Sequence, residues 1–190
     1  MQRIDHRPQF SGLAQWKSQV ARKVLPLIMR SSIRPLWGSR VPVVWQRKLT
    51  EAALRNGWVP RQAVVGETRL AQQRAEVITP HDGSTDQVVF FMHGGGYVVC
   101  SPSTHRPLTS RIGLALNATT YVPYYRLAPE HVFPAGLDDA LNAYRGLLER
   151  GVNPARVALM GDSAGGGLAL ALALSIRDQG LPLPSRSEEH

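Results

Sequence analysis

Arg156-Val157-Ala158-Leu159-Met160-Gly161-Asp162-Ser163-Ala164-Gly165-Gly166 joins a short apolar run to a series of helix formers that continues to Arg177. It reads as strand, sharp turn, helix. A turn this tight holds a serine hydroxyl clear of the backbone, and glycines two before and two after Ser163 leave room where side chains would clash. The helix behind aims its N-terminus at the serine, so its unpaired amides favour negative charge developing on a substrate oxygen. A nucleophile needs all of this. A serine that only caps a helix after a Gly-rich turn would also satisfy the bare G-x-S-x-G spacing. Asp162 reads as a residue that stabilises the helix start or bonds a loop amide, without a proton-transfer role.

Upstream, the chain alternates. Helical character over Val41 to Trp58 ends at Asn56-Gly57, and Val64 to Leu70 then alternates as a strand does. Ala75 to Thr79, a turn at His81-Asp82-Gly83, and Val88 to Met92 read as strand, turn and second strand, the last an unbroken apolar run suited to the middle of a sheet. There follow a helix through Leu108 to Leu116, a strand at Thr119 to Val122, a helix from Ala135 to Arg150, the strand Arg156 to Met160, and a helix after Ser163. Strands separated by helices of this length cannot pair as hairpins. They predict a mostly parallel sheet with flanking helices on both faces and right-handed crossovers.

His93-Gly94-Gly95-Gly96-Tyr97 follows directly on the apolar strand. Three successive glycines let the backbone approach a ligand and turn its amides inward, as a tetrahedral oxyanion demands. A phosphate loop is excluded: no Gly-Lys-Ser/Thr follows, and no G-x-G-x-x-G opens a helix. His93 reads as an organiser of this loop rather than as a catalytic base.

With 190 residues and 43% hydrophobic content, the chain can bury one sizeable core. The net charge of +8 is uneven: Met1 to Ala75 carries 14 Arg and Lys against three acids, which is +11, leaving −3 for the other 115 residues. Within that basic front, Leu13, Trp16, Val20, Val24 and Leu27 recur at helical spacing, with Lys17, Arg22 and Lys23 between them and Pro26 to kink or end the helix. A basic lid helix over the chain's own active site is the preferred reading. A helix on a membrane or lipid surface, or a targeting segment, is the alternative. Basic-aromatic repeats, zinc spacing and a helix-turn-helix are all lacking, so nucleic acid is not an expected partner. The single cysteine, Cys100, provides no intramolecular disulfide and reads as a small buried hydrophobe. No apolar run approaches the roughly 20 residues of a membrane span, nor does the start resemble a secretory signal, which makes the cytoplasm the expected compartment. Nothing here fixes an oligomeric state.

Three motifs occur in order: His93 to Gly96, Tyr125-Arg126-Leu127-Ala128-Pro129-Glu130, and Gly161-Asp162-Ser163-Ala164-Gly165-Gly166. Together with Phe133-Pro134-Ala135 beside Asp138 and Asp139, and with Ser101, Thr104 and His105, they resemble the bacterial hormone-sensitive-lipase-like esterases of the α/β-hydrolase fold. The resemblance runs from about Ala75 to Pro184. It implies that Ser163 attacks an ester carbonyl, that backbone amides of Gly95, Gly96 and Ala164 hold the oxyanion, and that His93, Gly94, Asp162, Gly161 and Gly165 support the two motifs. It further implies an acyl-enzyme intermediate, small-molecule esters of short to medium acyl chain as substrates, no metal and no cofactor. Arg126 and Glu130 are implied to anchor the loop behind the site, and one ion pair would explain them.

The family's acid and histidine come after the serine. Beyond Ser163 this chain carries Asp178, Glu188, Glu189 and His190. On a regular helix Asp178 stands about 22 Å from Ser163, too far to orient a base. His81, His105 and His131 sit in a turn, a helix start and a loop, and are poor substitutes. The expected organisation is therefore a basic helical cap over residues 1–60, a partial α/β-hydrolase domain over 61–184 truncated after the nucleophile helix, and a polar tail, 185–190, outside the family pattern. That arrangement would leave the nucleophile strand at a sheet edge. A non-catalytic binding protein on the same fold, or an inactive product of a truncated or shifted reading frame, are the competing functions.

Overall fold

Val88-Val89-Phe90-Phe91-Met92 is apolar at every position because both of its faces are covered. In the computed structural model, which describes residues 41–81 and 85–189, this strand is buried throughout. Its alternate side chains enter two cores. Val88, Phe90 and Met92 pack with helices Ala135–Glu149 and Ala164–Asp178, while Val89 and Phe91 pack with Ala118, Val122, Met160 and Ile112 on the opposite side. Full burial of a side chain such as Phe90 stabilises by about 1.5–3 kcal/mol.

The elements, in chain order, are α1 (Val43–Leu54), β1 (Ala63–Leu70), β2 (Gln73–Pro80), β3 (Val88–Met92), α2 (Pro102–Leu116), β4 (Thr119–Pro123), α3 (Ala135–Glu149), β5 (Val157–Gly161), α4 (Ala164–Asp178) and β6 (Arg186–Glu189). From Val43 onward they form one compact unit. The sheet order is β1-β2-β4-β3-β5-β6. The β3–β4, β3–β5 and β5–β6 pairs are parallel, whereas β1–β2 and β2–β4 are antiparallel. β3 and β5 run side by side, with Met92 opposite Gly161. Their carboxyl ends therefore open together onto the loop after β3 and the turn after β5, the place where open α/β sheets bind ligands.

α3 shows why the helices cover the sheet. Ala140, Ala143, Tyr144 and Leu147 recur on one face and are buried, and the Tyr144 hydroxyl donates to the Pro182 carbonyl at 2.7 Å. α1 differs, for none of its residues is buried. It is held by polar reach. Arg47 donates to the Val98 carbonyl at 2.7 Å, to the Ala128 carbonyl at 2.6 Å and to both carboxylate oxygens of Glu130, while Glu51 accepts from the Ser103 hydroxyl at 2.9 Å.

Several expectations need correction. α2 begins at Pro102, six residues before Leu108. Two prolines compete for the start, and Pro102 wins because the Thr104 hydroxyl accepts from the Ser101 amide at 3.1 Å, one half of a capping box, leaving Pro107 inside the helix. The turn after β2 does not pair β2 with β3, since β4 pairs with both. The polar residues after Pro184 also behave differently from the expectation. Ser185 donates its amide to the Val157 carbonyl at 3.0 Å, and Arg186–Glu189 then pairs in parallel with β5, so the nucleophile strand is not at the edge. A ladder needs only backbone groups, and a short polar strand suits an exposed edge. Cys100 is only half-buried and sits at φ +71°. The helix expected over Leu13 to Leu27 lies outside the described residues, as do Asp82 and Gly83 of the β2 turn. Among the described helices none is long and apolar enough to cross a membrane.

Candidate active site

Ser163 sits at φ +52°, ψ −122°, a conformation that costs a non-glycine residue about 1–3 kcal/mol, and its side chain is exposed at the turn between β5 and α4. The flanking glycines make that turn fit. A Cβ on Gly165 would lie 2.0 Å from the Met92 carbonyl oxygen and 2.6 Å from that of His93, so the first turn of α4 presses directly on the backbone where β3 becomes the glycine loop. Gly161 faces Gly165 just as closely, with a Cβ 2.3 Å from its carbonyl oxygen.

The glycine loop is folded back on itself. Gly95 takes φ +115°, and its carbonyl accepts from the amides of Val98 at 3.1 Å and Val99 at 3.0 Å. Among the described residues, the amides of Gly95, Gly96 and Ala164 have no acceptor, which leaves them able to donate to a ligand. Gly94 is different: its amide donates to Asp162 Oδ1 at 2.8 Å. Asp162 thus bonds a loop amide, tying the serine turn to the loop beside it. Burial pushes the Asp162 carboxyl up, but its bond to His105, the charge of that ring and the Gly94 amide outweigh burial and hold it below the ordinary range.

His93 is 1% exposed. Its Nδ1–H donates to the Gly94 carbonyl at 2.8 Å, its ring stacks on Tyr125 with centroids 4.3 Å apart, and the Tyr125 hydroxyl donates to the His93 carbonyl at 2.5 Å. Burial lowers its pKa to about 4, and a ring so enclosed and so bonded braces the loop. Tyr125 itself is raised well above the usual phenol range by burial.

Beside the serine turn, a cavity of about 410 Å³ is lined by Gly96, Tyr97, Val132, Phe133, Leu137 and Ala171 among others. Its walls are mostly apolar, as expected of a pocket for an uncharged organic group. Tyr97 takes φ +61°, its carbonyl accepts from the Ala128 amide at 2.8 Å, and its hydroxyl stands over Gly167 of α4.

Arg126 and Glu130 do not pair with each other. The Arg126 guanidinium binds both oxygens of Asp139, at 2.8 to 3.0 Å, and its amide adds a bond to Asp139 at 2.8 Å, whereas Glu130 pairs with Arg47 at 2.7 Å. Both still brace the loop that carries the pocket wall, with Asp139 anchored in α3 and Arg47 in α1. Sequence reasoning did not foresee Arg47. As sequence, His105 reads only as part of a helix start, although its Nε2 lies 3.3 Å from Asp162 Oδ1. The signal for His105 was the Ser101-x-x-Thr104 cap, which puts the next residue in the first turns of a helix starting beside the glycine loop. Among the described residues, no group of three or more His, Cys, Asp or Glu side chains is placed to hold a metal.

A strained exposed serine between strand and helix, a glycine loop packed against it, and a mixed sheet with helices on both faces define an α/β hydrolase. Residues 89–186 match the family model described as alpha/beta hydrolase fold, and the chain belongs to that family, on its hormone-sensitive-lipase-like branch. It is 40% identical over 164 residues to an acetyl-hydrolase of Streptomyces hygroscopicus, covering 83% of this chain and 53% of that protein. It is 36% identical over 163 residues to a carboxylesterase/phospholipase, LipF, of Mycobacterium tuberculosis, covering 81% and 43%. The crystal structure of an esterase from the bacterial hormone-sensitive lipase family superposes with a TM-score of 0.78 at 36% identity, covering 88% of this chain and 55% of that one. The chain spans about half the length of the curated relatives it matches.

Proposed function

We propose that Ser163 is the nucleophile of a carboxylic-ester hydrolase that takes small esters of short to medium acyl chain. The observation that carries this reading is the Ser163 backbone at φ +52° in a turn locked onto the glycine loop through Gly165 and the Asp162–Gly94 bond. Ser163 Oγ attacks the ester carbonyl carbon while its proton passes to the histidine that the resemblance places after the serine. The carbonyl oxygen gains the negative charge and is held by the amides of Gly95, Gly96 and Ala164. The alcohol leaves with a proton from the base, and water then releases the acid from the acyl-enzyme.

The base is not His93, whose Nδ1–H is spent on the Gly94 carbonyl and whose basicity burial lowers. The resemblance places the base and its acid after the serine, in a part of the fold beyond the half that the relatives share with this chain. Hydrolysis of p-nitrophenyl acetate, butyrate, octanoate and palmitate tests the reading. With the serine turn, the oxyanion donors and the pocket alone, the expected result is slow turnover above background that disappears in Ser163→Ala and favours the shorter acyl chains over palmitate. Equal rates in the chain and in folded Ser163→Ala contradict it.

A further inference from the structure

We propose that His105 is a positioning residue of this site, which fixes the glycine loop by holding Asp162 against Gly94. The proposal rests on the reading of Ser163 and its oxyanion donors given above.

Asp162 Oδ1 is a meeting point of three elements. The oxygen belongs to the turn after β5, it accepts from the Gly94 amide of the loop after β3 at 2.8 Å, and it lies 3.3 Å from His105 Nε2 of α2. A carboxylate accepts only, so this contact requires a hydrogen on Nε2. The other side of the ring is held too. Nδ1 stands 2.9 Å from Thr104 Oγ1, in the first turn of α2. The ring packs between Phe91, with centroids 6.5 Å apart, and His93, at 5.5 Å, and the side chain is 12% exposed. The imidazole therefore has one orientation, and that orientation points Nε2 at Asp162.

The second carboxylate oxygen faces the same loop. A Cβ on Gly94 would meet Asp162 Oδ2 at 2.4 Å, so the carboxylate already touches the Gly94 Cα, and a rotation of Asp162 moves the loop. Gly95 and Gly96, the next two residues, carry two of the three donors assigned to the oxyanion. Small errors in such donors cost much of their effect, because a misplacement of about 1 Å can cost a hundredfold in rate.

The test uses the 190-residue chain and three variants. His105→Ala removes the donor. His105→Gln restores one, because the glutamine amide nitrogen stands where Nε2 stood, whereas His105→Asn places its nitrogen where Nδ1 stood and leaves Asp162 unreached. Two readouts are taken on folded protein: the second-order rate of Ser163 labelling by a fluorophosphonate, and the Gly94 amide resonance with its hydrogen-exchange rate.

His105→Ala is expected to label on the order of tenfold to a hundredfold more slowly, with a shifted and faster-exchanging Gly94 amide. His105→Gln should recover most of both effects. If His105→Ala does not fold, His105→Asn takes its place and should show the same losses. A purely structural role would lower the melting temperature yet leave the labelling rate and the Gly94 amide of the folded protein unchanged, and that result overturns the proposal alone. Failure of the wild-type chain to label overturns the reading of Ser163 and the proposal with it.

Discussion

The serine turn and α1 both shape the site, but by opposite means. At the turn, backbone meets backbone: Gly165 lies so close to the Met92 and His93 carbonyls that any side chain would collide with them, and the fit depends on what is missing from the sequence. α1 buries no residue and reaches the same neighbourhood through Arg47, which joins the Val98 carbonyl on one loop to the Ala128 carbonyl and Glu130 on another. Contacts of the first kind admit no adjustment. Those of the second kind bridge long distances in sequence and trade with water when broken, so each contributes modestly.

Substitution breaks this contrast or sharpens it. Gly165→Ala is expected to destabilise the chain by more than about 3 kcal/mol, since neither carbonyl can move without displacing β3, and urea unfolding measures it. Next in size is the pH dependence from His93. Its folded pKa of about 4 lies below the ordinary 6.5, so the unfolded chain binds the proton more readily between those values. That contribution is complete above pH 6.5 and is lost as pH falls towards 4, on the order of 3 kcal/mol. Unfolding midpoints at pH 7 and pH 4.5 should differ accordingly, and the difference should shrink in His93→Asn.

Arg47→Ala should cost about 1–2 kcal/mol through its two carbonyl bonds. Glu130→Ala should lower the melting temperature less than Arg47→Ala does, because it removes an ion pair exposed to solvent and leaves both carbonyl bonds in place. Equal losses from Gly165→Ala and Arg47→Ala would erase the distinction between the two regions.

The same distinction explains what could be read in advance. β3, the serine turn and the glycine loop were legible because their demands are local: an apolar run covered on both faces, and glycines where backbones touch. α3 was legible from its helical period. The partners of Arg126 and Glu130 were not, because nothing local distinguishes Asp139, 13 residues on, or Arg47, 83 residues back, from any other charged residue. The start of α2 was misplaced because a proline can begin a helix or sit within it, and only the Ser101–Thr104 contact decides between Pro102 and Pro107. The polar residues after Pro184 hide β6, because its parallel pairing with β5 uses the backbone alone and leaves no apolar pattern in the sequence.

The central claim is that Ser163 is the nucleophile, presented to a substrate by this turn. Exposure of the folded chain to a fluorophosphonate, followed by intact-mass measurement and peptide mapping, tests it most directly. The account predicts one adduct, located on Ser163 and absent from Ser163→Ala. A chain that gains no adduct, or one that labels equally in Ser163→Ala, would contradict it.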